Sequence, residues 1–232
     1  MTVQKFQSEL LKVIQVSPNT KHFVFETSPD FSFLSGQFVM VTLSDEAGQA
    51  VRRAFSIASP PSQKGSIDLC IKILPEGRLS SHLGKLAPKQ SVQMEGPYGK
   101  FTLEPSHPSE VVFIAAGTGI APIRSMLIDL LERGHKGQIT LIFGFHGSND
   151  YIYQQEIESL AKKHKNVQVV PICSTPESSW NCKVGHVQDV IVERYPDGSD
   201  IDVYLCGPPK MVSETVAVLT KQKFVRIHRE AW

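Results

Sequence analysis

The sequence predicts two domains: an N-terminal antiparallel β domain of six strands and a C-terminal α/β domain whose five strands form a parallel sheet. Residues 1–103 contain short runs rich in Val, Ile, Phe and Thr separated by turn signals, a pattern typical of a closed barrel or a sandwich. From residue 111 onward, apolar strands alternate with helical patterns, which predicts a parallel sheet covered on both faces. The polar segment 104–110 is the predicted linker, so the domains span 1–103 and 111–232.

The strands of the first domain are predicted from these runs and from the turns between them. Ser-Pro-Asn at 17–19, Ser-Gly at 35–36 and Pro-Pro at 60–61 each favour a turn. The predicted strands are Ser8–Val16, Lys21–Thr27, Gln37–Leu43, Arg53–Ala58, Ser66–Leu74 and Ser91–Glu95.

The second domain is predicted to begin with the strand Val111–Ala116, an apolar run typical of strands buried on both faces. Pro122 marks a helix start, because the missing N–H of proline is not needed in the first turn. Apolar residues then recur at helical spacing until Gly134. The unit repeats, with further strands at Ile139–Phe145, Val167–Cys173, Ile201–Cys206 and Phe224–His228 and further helices at Tyr153–His164, His186–Arg194 and Pro209–Gln222.

The charge balance and the cysteine spacing exclude several classes of function. Lys and Arg total 24 and Asp and Glu total 23, so a net charge of +1 gives no reason to expect binding to nucleic acid or acidic membranes. The longest apolar stretch, 111–123, is interrupted by glycines and is shorter than the roughly 20 residues that cross a bilayer. The N-terminus lacks the apolar core of a signal peptide, so we expect a cytoplasmic protein. The four cysteines form no C-x-x-C pair and the histidines show no H-E-x-x-H spacing, so no metal site is predicted.

One turn of the second domain is suited to an anion. Residues 115–122 read A-A-G-T-G-I-A-P and join the first apolar strand to its helix. Glycine lets a ligand approach the backbone closely, and a helix start presents free N–H groups to a phosphate. The alternative is a tight turn with no ligand. The segment departs from the dinucleotide fingerprint G-x-G-x-x-G because Pro122 occupies the last glycine position, and the chain has no G-x-x-x-x-G-K-[ST] loop.

Four further motifs surround this turn. R-A-F-S-I-A-S at 53–59, P-E-G-R-L-S at 75–80 and G-P-Y-G-K-F at 96–101 precede it, and C-G-P-P-K-M at 206–211 follows it. Together with G-T-G-I-A-P, the set resembles the ferredoxin–NADP reductase superfamily over essentially the whole chain. The resemblance implies that the first domain is a six-stranded antiparallel β-barrel that binds flavin and that the second domain binds NAD(P)H. The implied cofactor is FAD rather than FMN, with NADH or NADPH as substrate.

The resemblance also implies roles for the barrel motifs. Arg53 matches the arginine that pairs with flavin phosphate, since a guanidinium fork suits phosphate oxygens. Phe55 takes the aromatic position that packs on the isoalloxazine ring, and Ser56 places a hydroxyl near flavin N5. The motif at 75–80 opens a short helix toward the flavin phosphates, although Glu76 stands where the family has glycine. The remaining flavin-binding candidates are Ile71, Gly77, Arg78, Leu79 and Ser80.

The nucleotide site is implied in the same way. Gly117, Thr118 and Gly119 form the turn for the pyrophosphate of the nicotinamide nucleotide. Cys206 ends a parallel strand at the edge where such sheets bind ligands, and in the family this cysteine lies beside nicotinamide C4. The C-terminal Glu-Ala-Trp resembles an ending whose aromatic residue covers the flavin, so Glu230 joins Ser56 and Cys206 as a catalytic candidate. The other expected contacts are Gly207, Pro208, Met211 and Trp232.

The implied activity is hydride transfer from NAD(P)H to bound FAD, followed by electron transfer to a separate protein such as a ferredoxin, an oxygenase component or a haem protein. No iron–sulfur domain is expected within the chain. NADH is favoured, because the segment 174–177 lacks an arginine for a 2′-phosphate and His146 stands where an arginine is frequent, although Lys183 could reach the site. Two alternatives stay open: a reductase that uses free flavin as substrate, and a non-catalytic nucleotide-binding subunit of a larger complex.

Overall fold

The structure is a computed structural model that describes residues 2–44, 48–107, 110–177, 183–198 and 200–231. The chain divides into two compact units. The first contains Met1–Leu103 and Arg124–Leu130, and the second contains Glu104–Ile123 and Leu131–Trp232. Part of one helix therefore belongs to the first unit although it lies far along the chain. The domain limits drawn from the sequence at 104–110 stay a prediction.

The first unit is built on one antiparallel sheet of six strands in the order β4-β3-β6-β1-β2-β5. A bridge between Ile57 and Leu69 brings the end of β4 to β5, so the two outer strands of the sheet meet at one end. This confirms the six-stranded antiparallel architecture expected from the sequence. The elements are β1 (Gln4–Ser17), β2 (Thr20–Glu26), β3 (Phe38–Ser44), β4 (Ala50–Ser56), β5 (Ser66–Lys72), α1 (Ser80–Lys85) and β6 (Ser91–Tyr98).

Alternating apolar residues fill the inside of this sheet. Phe23 and Phe25 of β2 are fully buried, and their ring centroids lie 6.0 Å apart. Because successive side chains point to opposite faces, the residues between them face outward. His22 and Asp68 lie on that outer face and are nevertheless buried. Arg124 of the helical segment in this unit reaches Asp68 at 3.3 Å, so the outer face is covered at this point.

The second unit contains a parallel sheet in the order β10-β9-β8-β7-β11-β12. The predicted α/β architecture is confirmed, but the predicted count of five strands is wrong, because the structure adds β10 at the edge of the sheet. β10 has two residues, too few to produce a periodic signal in the sequence. The elements are β7 (Glu110–Ala116), α2 (Ile120–Glu132), β8 (Gln138–Phe145), α3 (Gln154–Lys163), β9 (Val167–Cys173), β10 (Lys183–Val184), α4 (Val187–Arg194), β11 (Ile201–Gly207), α5 (Pro209–Lys221) and β12 (Arg226–Ala231).

The central strands β7 and β11 are buried on both faces, as their apolar sequences predict. α2 begins at Ile120, two residues before the predicted start, and β12 begins at Arg226, two residues after it. No helix in the described part of the chain is long and apolar enough to cross a membrane. Among the described residues, no group of three or more His, Cys, Asp or Glu side chains is arranged to hold a metal ion.

Candidate functional site

Strand β4 carries three of the predicted site residues. Arg53 and Phe55 share the face of Val51, because side chains alternate along a strand, and Ser56 lies on the other face. Phe55 is half-buried and packs against the core, whereas Arg53 is exposed. Arg53 Nη1 donates a hydrogen bond to the carbonyl oxygen of Arg52 at 2.8 Å, which leaves the rest of the guanidinium for solvent or a ligand. The half-buried hydroxyl of Ser56 makes no hydrogen bond to another described residue.

An open strand edge runs beside these residues. β4 and β5 are joined by the bridge between Ile57 and Leu69. Continuing that antiparallel register would place Phe55 opposite Ile71. No such pair forms in the described part of the chain, so β4 is open on the side facing away from β3. Ile71 is only 2% exposed and its side chain belongs to the core, which leaves its backbone to contact a ligand.

The loop before α1 is held by its own hydrogen bonds. The amide of Leu74 donates to Ser80 Oγ at 3.2 Å, and the amide of Gly77 donates to the carbonyl of Leu74 at 2.9 Å. A Cβ on Gly77 would overlap Ser80 Oγ, so glycine leaves room for the hydroxyl that accepts the Leu74 hydrogen bond. Arg78 is exposed and donates to Gln49 Oε1 at 3.4 Å. This contact brings a second guanidinium close to the start of β4.

Two other residues of this loop differ in exposure. Leu79 is 3% exposed and packs in the core of the first unit, so it anchors the loop. Glu76 is exposed. α1 begins at Ser80, so Gly77 lies before the helix rather than within it.

In the second unit, the turn after β7 meets the end of β11. A Cβ on Gly119 would overlap the carbonyl oxygen of Cys206 and lie 2.9 Å from the Cα of Gly207. A Cβ on Gly207 would overlap the terminal methyl of Met211 and lie 3.2 Å from the Cβ of Ala116. Glycine at position 119 therefore lets the two backbones touch at the carboxyl edge of the sheet, and glycine at position 207 leaves room for the Met211 side chain.

The glycine turn is open on its other side. Gly117 has a φ of +55°, and among the described residues no atom beyond its two chain neighbours lies within 4 Å of the position that its Cβ would take. Thr118 is buried. Pro208 is exposed and immediately precedes α5. The open side of Gly117 gives a ligand access to the backbone of the turn.

Cys206 lies on β11, which pairs with one strand on each side. It lies opposite Ala115 of β7 and opposite Glu230 of β12. Side chains in register in a parallel sheet share a face, so the structure brings Cys206 and Glu230 together. Cys206 is fully buried and Glu230 is half-buried. Trp232 lies outside the described residues.

Polar side chains follow strands β8 and β9. Thr175 Oγ1 donates to the carbonyl oxygen of His146 at 2.9 Å, and Asn149 Nδ2 donates to Glu177 Oε1 at 3.1 Å. Burial raises the pKa of the adjacent Cys173 thiol. These residues occupy the same carboxyl edge of the sheet as the glycine turn, since all the strands are parallel.

Comparison with known proteins identifies the family. Residues 7–103 match the oxidoreductase FAD-binding domain, and residues 113–217 match the oxidoreductase NAD-binding domain. The chain is 34% identical over 218 residues to ferredoxin–NADP reductase B of Sorangium cellulosum, an alignment that covers 90% of this chain and 89% of the relative. The chain belongs to the ferredoxin–NADP reductase superfamily. It is an NAD(P)H-dependent flavin oxidoreductase with FAD as its cofactor.

Other members of the superfamily differ in length. The reductase component of phenol 2-monooxygenase from Pseudomonas is 30% identical over 222 residues, but the alignment covers 94% of this chain and only 62% of the relative. The solved Amycolatopsis cytochrome P450 reductase has a TM-score of 0.91 at 26% identity, covering 99% of this chain and 70% of that chain. The ferredoxin NADP⁺ reductase of Neisseria gonorrhoeae, at 17% identity and a TM-score of 0.86, shares the fold.

The residues of the first unit fit the FAD that this superfamily binds. Arg53 and Arg78 supply two exposed guanidinium groups, which suit a diphosphate. Phe55 presents a half-buried ring beside the open edge of β4, where a planar aromatic ligand can stack. Ser56 has a hydroxyl available to a ligand atom.

The sequence reading of this reductase missed a buried polar pair in the first unit. Arg124 Nη1 lies 3.3 Å from Asp68 Oδ2, and the two side chains are 13% and 7% exposed. The available signal was a charged residue between Ile123 and Met126 within an otherwise apolar helical pattern. Buried charges of this kind are paired because an unpaired charge is costly to bury.

Proposed function

We propose that this reductase takes a hydride from NADH in preference to NADPH, holds FAD as a bound cofactor, and passes the electrons to a separate redox protein. The observation that carries the proposal is the open edge of β4, along which Arg53, Phe55 and Ser56 offer a cation, a ring and a hydroxyl. When bound, FAD accepts a hydride and releases its electrons singly or as a pair.

The barrel residues hold and orient the flavin in this proposal. Arg53 and Arg78 bind the diphosphate, and Phe55 packs on the ring system. Ser56 donates a hydrogen bond at flavin N5, which favours the reduced ring. Gly77 and Ser80 stabilise the turn before α1, and the buried Leu79 side chain anchors it in the core. Ile71 contacts the flavin through its backbone.

The α/β residues hold and orient the nicotinamide nucleotide. Gly117, Thr118 and Gly119 bind the pyrophosphate, and the open side of Gly117 supports this assignment. Cys206 and Glu230 contact the nicotinamide, while Gly207, Pro208 and Met211 close over it and exclude water. We also assign Trp232 to covering the flavin face, on the strength of the C-terminal sequence. These residues would serve by binding and orienting the two ligands, and no general base is needed because hydride transfer itself takes no proton from a side chain.

The preference for NADH rests on charge. A 2′-phosphate needs cations, yet the segment after β9 presents Glu177, which is held by Asn149. Lys183 is the one cation named above that could reach this segment, and it forms an ion pair with Glu193 of α4. The side chain at the end of β8 is His146, which hydrogen-bonds to Thr175.

The proposal that the acceptor is a protein rests on the names of the similar proteins, which are reductases or reductase components of redox systems. The Sorangium relative is a ferredoxin reductase, the Pseudomonas relative is a component of a phenol hydroxylating system, and the Amycolatopsis structure is a cytochrome P450 reductase. A ferredoxin or an oxygenase component is therefore the proposed partner. One observation favours free flavin as a substrate instead: Glu76 lies in the loop assigned to the flavin phosphates, where a carboxylate would weaken FAD binding.

The test begins with the full chain purified in the dark and passed through a desalting column. A retained yellow flavin that is bleached anaerobically by NADH more readily than by NADPH supports the proposal. A colourless protein that reduces added flavin would establish the alternative, and a protein that does neither would refute both. Reoxidation by a panel of ferredoxins and haem proteins then identifies the acceptor class.

The role of Ser56 is tested separately by Ser56→Ala, with Ser159→Ala on the exposed face of α3 as control. Flavin content should be unchanged in both variants. The rate of flavin reduction in stopped flow should fall about tenfold in Ser56→Ala, as expected for a lost positioned donor, and stay within about twofold in the control. Equal rates in Ser56→Ala and the parent would refute the assignment.

A further inference from the structure

The segment after Ser56 changes its partner strand. Ser56 is the last residue of β4 that pairs with β3, opposite Phe38. The next residue, Ile57, bridges to Leu69 of β5, and the amide of Ala58 donates to the carbonyl of Asp68 at 2.8 Å. Residues 57–59 therefore cross from one strand to another directly beside the proposed hydrogen-bond donor. Beyond Ser56 a single hydrogen bond continues toward β3, from the amide of Ile57 to the carbonyl of Gln37 at 2.9 Å. After it the chain is held by β5 and α2, so the conformation of residues 57–59 affects where the Ser56 hydroxyl points.

Two carbonyl groups in this crossing are satisfied by side chains of α2. Ala58 and Ser59 are fully buried, so each carbonyl needs a partner from the protein. Arg124 Nη1 donates to the carbonyl of Ala58 at 2.6 Å, and Ser125 Oγ donates to the carbonyl of Ser59 at 2.6 Å. All of these residues belong to the first unit.

Asp68 holds the arginine in place. Its Oδ2 atom lies 3.3 Å from Arg124 Nη1 and 3.7 Å from His22 Nε2, while Gln63 Nε2 donates to Oδ1 at 2.9 Å. The amide of Asp68 also donates to Ser59 Oγ at 3.0 Å. The Asp68 carboxylate thus contacts β2 and α2, while the Asp68 backbone contacts the 57–59 crossing. The carboxylate holds the guanidinium beside the Ala58 carbonyl.

We propose that Arg124, held by Asp68, is a positioning residue that sets the orientation of Ser56. The inference rests on the proposed role of Ser56 at the flavin. Arg124 bonds to the backbone two residues beyond Ser56, and Ser125 bonds to the following carbonyl. A displacement of about 1 Å in a group aligned with a reacting atom can lower a rate about a hundredfold. Arg124 therefore acts on hydride transfer through the backbone, without a contact of its own to the flavin.

The experiment compares Arg124→Gln with Arg194→Gln, an exposed arginine of α4 that donates to Gln168. Hydride transfer in stopped flow should slow about tenfold in Arg124→Gln, while the FAD dissociation constant changes by less than about threefold. Arg124→Lys, which keeps the charge, should recover part of the rate. In the flavin-free protein, deuterium uptake by a peptide spanning 56–59 should rise in Arg124→Gln and stay unchanged in Arg194→Gln.

A double-mutant cycle decides whether Arg124 acts through Ser56. If it does, the double variant Ser56→Ala/Arg124→Gln should be about as slow as the slower single variant. Once Ser56→Ala has removed the hydroxyl, Arg124→Gln has no hydroxyl left to misplace. Effects that multiply would overturn the inference, and so would a parent-like rate in Arg124→Gln while Ser56→Ala is slow. A parent-like rate in Ser56→Ala would instead overturn the proposed role of Ser56 itself.

A milder variant covers the case in which Arg124→Gln does not fold. Ser125→Ala removes only the hydrogen bond to the carbonyl of Ser59. It should slow hydride transfer about threefold, with the same non-additivity toward Ser56→Ala and the same rise in deuterium uptake at 56–59. A parent-like rate together with parent-like uptake would contradict the inference.

Discussion

Gly119 packs against the carbonyl group of Cys206, so that the turn after β7 and the end of β11 touch through their backbones. A Cβ at position 119 would overlap the Cys206 oxygen and approach the Cα of Gly207 to 2.9 Å. Backbone atoms give way less easily than the tip of a flexible side chain. The contact therefore fixes the spacing of the two loops that we assign to the nicotinamide nucleotide.

Gly119→Ala should weaken nucleotide binding while leaving FAD in place. Separating the loops is expected to raise the NADH dissociation constant about tenfold or more and to cost about 1–3 kcal/mol of stability, as for other overpacked sites. Anaerobic titration with NADH measures the first and thermal unfolding the second. The matched control is Gly147→Ala, where φ is −105° and the nearest atom to the new Cβ lies 3.6 Å away. Unchanged NADH binding in Gly119→Ala would contradict the assignment of this turn.

The features that follow from local sequence periodicity were predictable. β7 reads V-V-F-I-A-A after Glu110, and such a continuous apolar run predicts a strand covered on both faces. The glycine turn and the strand-to-helix order around it were also predictable, because glycine and proline affect the backbone conformation locally, where they occur in the sequence. β10 was missed because two residues carry no period.

Long-range partners were not predictable in the same way. Arg124 and Asp68 are 56 residues apart in the chain, and no local pattern links them. The helical spacing of apolar residues also predicted that α2 is a helix. That spacing gave no sign that Arg124–Leu130 packs with the first unit. Similarly, the match of Ile71 to a flavin-binding position did not reveal that its side chain lies in the core. Tertiary packing decides each of these points.

Glu177→Arg should shift the reductase toward NADPH. The substitution removes a carboxylate that repels a 2′-phosphate and adds a guanidinium that can bind it. The ratio of kcat/KM for NADPH to kcat/KM for NADH should rise about tenfold, and added salt should reduce the gain. The control, Glu132→Lys, makes a similar charge change at the exposed end of α2. A ratio that moves equally in both variants would point to net charge rather than to this site.

Ser35→Ala should destabilise the first unit. Ser35 is fully buried and its Oγ donates to Asp129 Oδ2 at 2.5 Å, so the substitution removes a donor from a carboxylate that is 7% exposed. The expected loss is about 1–3 kcal/mol, which corresponds to roughly 3–10 °C in the unfolding midpoint of a chain of this size. Thermal unfolding of Ser159→Ala, an exposed serine, provides the reference. A midpoint within about 1 °C of the parent would show that the hydrogen bond contributes nothing net.

Acid should destabilise the second unit through His135. Its ring lies edge-on to His107, with centroids 6.0 Å apart. Burial, and then the charge of His107, lower the pKa of His135 from its ordinary value of 6.5. The neighbouring groups are Asp202, which lies 3.1 Å from His107 Nδ1, and Tyr204 and Arg226 around them. A histidine with a lowered pKa in the folded state binds fewer protons there than in the unfolded state once the pH falls below about 6.5. The free energy of unfolding should therefore be unaffected by His135 above that pH and decline below it.

His135→Gln isolates this contribution, because glutamine does not titrate. Urea unfolding midpoints measured from about pH 8 to about pH 5 should fall more steeply in the parent than in His135→Gln, with the two curves parallel at the alkaline end. His186→Gln removes an exposed histidine of the same unit, and its curve should follow the parent throughout. If His135→Gln and the parent lose stability in parallel across the whole range, the acid sensitivity arises from groups other than His135.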